Sequence, residues 1–451
     1  MLTRIPTQED SRQILNTACR ILRTVGAEVQ SPRMRELLLA RGCCQNAQSR
    51  VCVPEDLAED FLRRVAPSPP TASRPFTAYA EICEGQYLDP FDDTCKPWTW
   101  ERLLFCVKLS RELEDIDGIT MLGCPVADMK RRDQIIEERL FCWKYGAAPG
   151  GSIWNVAYCD PLYRLYEAYA RLRGEDIRQL FQATVFLISP LCFGREEGEQ
   201  MLWFRDRGIR LNLGVMSSIG GSVPLRPANT MAVHLAEAVF VGLVNYLLFG
   251  TAHITLAGNH GVMDMQTGTF KFGRPESVFF NNAVAALARH LGTDLYLHTG
   301  LTDAVTPSPQ AAFEKAVSCL YAAGIGYPAN FVAGLIGTDE VFSPVQMVLD
   351  GEMKRYLAHI HRSVDWDTAG CLEDLQQALE YGSFLATEPT ALDCRKHTWY
   401  PRAFPAESFK MGQPSCLQKA RALIREIQAR PDPEPMLTEK EEAYLRRAAL
   451  G

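Results

Sequence analysis

The fold is decided by Glu237-Ala-Val-Phe-Val-Gly-Leu-Val-Asn-Tyr-Leu-Leu-Phe249 and the segment that follows it, Gly250-Thr-Ala-His-Ile-Thr-Leu-Ala-Gly258. No Asp, Glu, Lys or Arg stands between Glu237 and Asp264, a longer run than the ~20 residues needed to cross a bilayer. Gly250 interrupts the apolar helical pattern, and polar residues alternate with β-formers after it. The stretch therefore reads as a buried helix followed by a buried parallel strand. This predicts a soluble α/β protein with no membrane partner.

Working outward in both directions, short β-rich runs alternate with helix-capable runs, the signature of parallel strands joined by crossover helices. The candidate strands cover 76–83, 118–124, 148–154, 184–189, 209–216, 253–257, 294–298 and 329–333. Helix-capable segments cover 98–114, 196–207, 275–291, 310–323 and 344–361. Eight such units match the size of a (β/α)8 TIM-type barrel, with an open doubly wound sheet as the alternative. Residues 1–70 form an N-terminal helical segment that ends at Ala66-Pro-Ser-Pro-Pro70. The barrel then occupies 71–363, and 364–451 form a helical extension broken by proline-rich turns.

Composition narrows the function. The chain has 451 residues, 47% hydrophobic and 22% charged, with a net charge of −7. Those values fit a globular protein with a large core and provide no basic field for nucleic acid. The 15 cysteines include no Cys-x-x-Cys pair, which argues against a zinc site or disulfide framework and for a reducing cytoplasm. The N-terminus lacks the apolar run of a signal peptide.

In such a barrel the chemistry lies just after the strands. His260 and His298 occupy equivalent positions there, and a nearby carboxylate would tune either as acid, base or ligand. A metal reading needs a third ligand, for which Asp264 or Glu84 is available, but the spacing does not support it. The expectation is no metal. Aromatic residues are dense between Tyr79 and Tyr169, and two or three at the barrel mouth would form a cage for an alkylated ammonium. Trp154 and Tyr158 are the best-placed candidates. The loop Ser217-Ser-Ile-Gly-Gly-Ser-Val-Pro224 matches no phosphate-loop pattern.

Several segments, in order and spacing, resemble the trimethylamine methyltransferase superfamily: Ile21-Leu-Arg-Thr-Val-Gly26, Leu37-Leu-Leu-Ala-Arg-Gly42, Ser217 to Pro224, Asp264-Met-Gln-Thr-Gly268, Gly273-Arg-Pro-Glu276 and Ser343-Pro-Val-Gln-Met-Val-Leu-Asp350. The resemblance implies a barrel that moves a methyl group from a methylated amine to the cobalt of a corrinoid held by a separate protein, so that this chain binds no cofactor of its own. Founding members of that superfamily carry pyrrolysine. Here the region from Ala333 to Glu340 offers Leu335 and Ile336 instead. That departure points to the branch resembling glycine betaine and other quaternary amine demethylases. In this reading Trp154 and Tyr158 face the ammonium, while His260 or His298 holds a carboxylate or hydroxyl of the substrate. Two competing readings are a non-catalytic barrel that binds a quaternary amine or scaffolds a corrinoid protein, and a metal-assisted lyase or hydrolase. The helical preface and tail are candidate surfaces for a homo-oligomer.

Overall fold

In a computed structural model, residues 5–66, 76–83, 85–121, 123, 125–126, 129–405 and 412–451 are described. The expected boundary near residue 70, the end of the strand expected at 118–124, and Glu84 fall outside or only partly within them. All eight expected strands form, most of them shorter than expected. They are β1 (Phe76–Ile82), β2 (Gly118–Met121), β3 (Ala148–Pro149), β4 (Thr184–Leu187), β5 (Asn212–Val215), β6 (Thr255–Gly258), β7 (Asp294–Leu297) and β8 (Ala329–Ala333).

The strands pair in parallel. β8, β1, β2 and β3 make one sheet in that order, β4 pairs with β5, and β6 pairs with β7. The architecture is mixed α/β with parallel sheets. Among the described residues the ladders do not join into one closed sheet. β3 shows one reason: it stops at Pro149, which has no N–H to donate, and Gly150 and Gly151 follow. Trp154, expected inside this strand, therefore lies beyond its end.

Helices cover the outer faces of the strands. The decisive stretch forms the helix Pro227–Phe249, which opens on Pro227 and ends where Gly250 turns left-handed at φ 76°. Its apolar window is 78% buried inside the fold, so its lack of charge reflects a protein neighbourhood on every side. The helices Pro275–Leu291 and Pro344–Ile360 also begin on proline, and the Ser343 hydroxyl caps the latter by accepting from the Gln346 N–H. From the helix Pro309–Gly324, Lys315 reaches Asp350 at 2.8 Å and the Val332 carbonyl at 2.7 Å. Asp350 also accepts from the Gly334 N–H at 2.9 Å. Both charges are fully buried, so each depends on the other. Together they fix the end of β8.

The N-terminal helix Gln8–Thr24 places Ile14, Ala18 and Leu22 in the same core cluster as Leu235 and Val239 of the long helix. The helix Cys416–Gln428 buries Ala420, Ile424 and Ile427 in a second cluster with Leu103, Val107 and Leu349. Both ends of the chain thus complete the packing around the strands.

Candidate active site

A parallel strand covered on both faces would bury every side chain. β1 does not. Phe76, Ala78, Ala80 and Ile82 are buried against the helices, while on the opposite face Tyr79 is exposed and Thr77 and Glu81 are half-buried. The same occurs on other strands: Tyr79 is 41%, Phe186 of β4 is 45% and Tyr296 of β7 is 52% exposed. At Thr77 and Tyr296 this accessible face borders a hollow that Asp294, Tyr327 and Asn330 also line. Glycines on the adjacent strands make room for two of these rings. A Cβ on Gly118 would lie 3.1 Å from the Tyr79 ring, and one on Gly214 would lie 2.4 Å from that of Phe186.

Polar groups converge at the C-terminal ends of β1 and β7. His298 Nε2 lies 3.6 Å from a Glu81 carboxylate oxygen, with both side chains largely shielded. The His298 ring is 6.1 Å from that of Tyr296 and 5.9 Å from that of Phe272. Half of the Tyr296 surface is open, but surrounding protein desolvates its hydroxyl. Burial, followed by the negative charge of Glu81, raises its pKa. Asp339, beyond β8, also has a raised pKa through burial and repulsion from Glu340, partly offset by His298. Glu81, Asp339 and His298 thus meet beside aromatic faces. Carboxylates and aromatic quadrupoles both attract a cation.

The candidates expected from the sequence separate into groups. His260 and His298 line one small cavity, of about 20 Å³, with Phe272, Ser277, Asn281 and Glu314 among its other walls. His298 therefore lies between this cavity and Glu81. His260 is buried, and among the described residues neither ring nitrogen has a hydrogen-bond partner. It packs edge-on to His234 at 4.3 Å. Burial lowers the His234 pKa to about 4, and burial with His234 lowers that of His260 well below the usual value. Both rings are neutral at physiological pH.

Behind them, Ser217 Oγ lies 3.3 Å from His234 Nδ1 and donates to Glu237 at 3.3 Å. Glu237 also accepts from the Ser189 hydroxyl at 2.7 Å and the Leu191 N–H at 2.9 Å. The serine bridges the histidine and the carboxylate, whereas a serine triad requires the histidine, as base, to stand between carboxylate and serine.

Asp264 turns away from this group. It accepts from the Gln266 and Thr267 N–H groups and pairs with Arg274 at 2.7 Å, contacts that hold its carboxyl below the usual range. Trp154 and Tyr158 stand before the helix Cys159–Arg173, half-buried and packed on the larger core cluster. They do not line the cavity with His260 and His298. Leu335 is buried in a small apolar cluster with Phe272, Leu301 and Val332, which places it behind the cavity wall. Among the described residues no three His, Cys, Asp or Glu side chains group as metal ligands.

Glu81, Phe186 and Tyr296 escape a reading that looks for chemistry only in the residues immediately after the strands, whereas Asp339 falls in the stretch after β8 and Tyr79 in the aromatic-rich region. The signal lies in Phe76-Thr-Ala-Tyr-Ala-Glu-Ile82, where an accessible-type residue alternates with small or apolar ones.

The family model described as trimethylamine methyltransferase matches residues 169–448. The chain is similar to trimethylamine methyltransferase of Methanosarcina barkeri, 31% identical over 366 residues, covering 77% of this chain and 74% of the relative. A trimethylamine methyltransferase of Methanosarcina mazei is 30% identical over the same shares of each chain. A glycine betaine methyltransferase of Desulfitobacterium hafniense is 24% identical over 50% of this chain and 48% of its own length. With this extent of similarity, the chain belongs to the trimethylamine methyltransferase family.

Proposed function

We propose that the chain transfers a methyl group from a cationic methylated amine to the cobalt of a corrinoid carried by another protein. The observation that carries this reading is the convergence of Glu81 and His298 with the accessible rings of Tyr79 and Tyr296. A permanently charged nitrogen satisfies the carboxylate and lies against the aromatic faces without needing a hydrogen-bond acceptor, and this favours quaternary amines.

The corrinoid supplies the nucleophilic metal. At the substrate, the methyl carbon–nitrogen bond breaks and nitrogen leaves with the bonding pair as a neutral amine, so the protein need not donate a proton. Glu81 and the rings position the cation, and the walls keep water from the methyl carbon. His298 holds the polar part of the substrate beside Glu81. Ile188 and Met216, exposed just after β4 and β5, form an apolar rim open to the incoming acceptor.

The reading places the hollow inside an eight-stranded barrel. Links between the separate ladders support that closure. The Thr184 N–H at β4 donates to the Gly151 carbonyl beyond β3 at 2.9 Å. Ser218–Ile219 after β5 pairs in parallel with Gly261–Val262 after β6. Thr299 after β7 donates through its hydroxyl to the Asn330 carbonyl of β8 at 2.7 Å.

The test is to mix the protein with cobalt(I) cobalamin and a panel of trimethylamine, glycine betaine, carnitine, choline and proline betaine while following the spectrum. Methylcobalamin should form with at least one quaternary amine. No methylcobalamin with any amine, despite saturable amine binding, would leave a binding protein in place of an enzyme.

A further inference from the structure

A group of thiols lies outside the site. Cys43 and Cys44 are adjacent in sequence, and Cys52 returns to them across the hairpin formed by Cys44–Gln45 and Val51–Cys52. In its antiparallel register Cys44 stands directly opposite Cys52, and Gln45 opposite Val51. Residues opposite each other in a ladder point to the same face, whereas neighbours along a strand point to opposite faces. Cys44 therefore shares its face with Cys52, while Cys43 turns the other way, into the core cluster that also holds Val51 and Val53. Backbone hydrogen bonds define the spacing. Val51 exchanges both of its own with Ala27, each 2.8 Å long, so the N–H and C=O of Cys52 face Cys44. A pair of that type holds its Cα atoms ~5.5 Å apart, inside the range that a disulfide spans. It is the last pair of the ladder, so its Cβ atoms are free to draw together by the ~1 Å that a bond requires.

We propose that Cys44 and Cys52 are a reversible oxidation site, joined by a disulfide when the protein meets hydrogen peroxide. Cys44 is exposed and takes the first step. Its thiolate sulfur attacks one peroxide oxygen, the O–O bond breaks and hydroxide leaves, giving a sulfenic acid. The Cys52 thiolate then displaces hydroxide from the Cys44 sulfur, and the S–S bond forms. In total two thiols give up two electrons and two protons, and one peroxide becomes two waters.

The surroundings decide which thiol serves as partner. Burial, with Cys44 and Cys52 beside it, pushes the Cys43 pKa up to about 12, so that thiol stays protonated. Burial and then Cys44 also raise the pKa of Cys52, but the Arg50 guanidinium opposes them. The second step is moreover intramolecular, which offsets a small thiolate fraction. A disulfide at an exposed, strained position is reduced readily by low-molecular-weight thiols, so the bond is reversible. Arg50 also donates to the Leu191 carbonyl at 3.1 Å, in the segment that follows β4. The disulfide thus closes the hairpin that braces that segment.

Peroxide treatment of the full chain, followed by alkylation of the remaining thiols, non-reducing tryptic digestion and mass spectrometry, tests the proposal. Arg50 lies between the two cysteines, so trypsin releases Cys44 in residues 42–50 and Cys52 in residues 51–63. The two peptides should appear joined, lighter than their sum by two hydrogen atoms, and should separate on addition of dithiothreitol. Fragmentation between Cys43 and Cys44 should place the link on Cys44 in the wild-type chain itself. The link should persist in Cys43→Ala and be lost in Cys44→Ser. A link carried by Cys43 overturns the pairing. Separate peptides, with Cys52 alkylated and Cys44 either alkylated or oxidised to the sulfinic acid, overturn the oxidation site.

Discussion

His298 and His260 follow adjacent strands, β7 and β6, and wall one small cavity, but they are a residue out of register. Gly258 pairs with Leu297, so His298 is the first residue beyond its strand and His260 the second, and their charged neighbours differ. His298 stands 3.6 Å from Glu81, between the rings of Tyr296 and Phe272. His260 is buried against His234, neutral and without a hydrogen-bond partner among the described residues. Strand-end position brings a residue to the face where chemistry can occur, but the opposing side chain determines whether it takes part. The neighbourhood of His298 is built for charge. That of His260 is built to do without it.

The substitution expected to affect this contrast most is Glu81→Gln. It keeps the shape and removes the charge, so the concentration of amine needed for half-saturation should rise about 10- to 100-fold, the equivalent of about 1.5–3 kcal/mol for an interaction with a charged group. Steady-state kinetics with the preferred amine measures this. Unchanged saturation would move the cation away from His298.

The His260 side of the contrast has a pH signature. His234 titrates at about 4 in the folded protein and near ~6.5 when unfolded. Between those values the unfolded chain binds the extra proton. Stability from this histidine is complete above the upper value and is lost as pH falls, by about 1.4 kcal/mol per pH unit. Glu237, whose pKa is raised by burial, acts in the opposite sense, since its favourable protonated form is lost as pH rises. Urea denaturation of wild type and His234→Asn at a series of pH values isolates the histidine. The variant should show a shallower acid limb, and identical limbs would mean that His234 is charged or exposed in the native state.

Smaller effects decide which aromatics meet the substrate. Tyr296→Leu should weaken amine binding by about 0.5–2 kcal/mol, roughly 3- to 30-fold. Trp154→Leu provides the comparison: a loss as large as that of Tyr296→Leu would place the cage beyond β3, and a negligible one would keep it at β7. The smallest change is expected for His260→Leu. Because the ring lacks partners, its replacement should alter stability by less than about 1 kcal/mol and leave methyl transfer intact. Loss of transfer with normal stability would bring His260 into the site.

Much of the fold is legible where local chemistry and tertiary packing agree. Ala329–Ala333 and Pro275–Leu291 form at the expected bounds, one as an apolar run and the other between proline and glycine. The strand expected at 148–154 shrinks to Ala148–Pro149, because apolar composition does not show where a proline and two glycines stop the pairing. For the site, His298 is legible as a strand-end histidine. Glu81 and Tyr296 are not, since alternation within a strand shows that two faces exist but not which one borders empty space. That depends on how β7 and β1 come to lie near one another, so that His298 meets Glu81, a relation between distant segments.

The central claim is that the hollow selects positive charge. Calorimetric titration with choline and with 3,3-dimethylbutan-1-ol, its uncharged analogue of nearly equal shape, tests it directly. Choline should bind the wild-type protein at least tenfold more tightly than the alcohol, the equivalent of about 1.4 kcal/mol, and Glu81→Gln should abolish most of that preference. Equal affinity for the two compounds, or a preference that survives the substitution, would contradict the account.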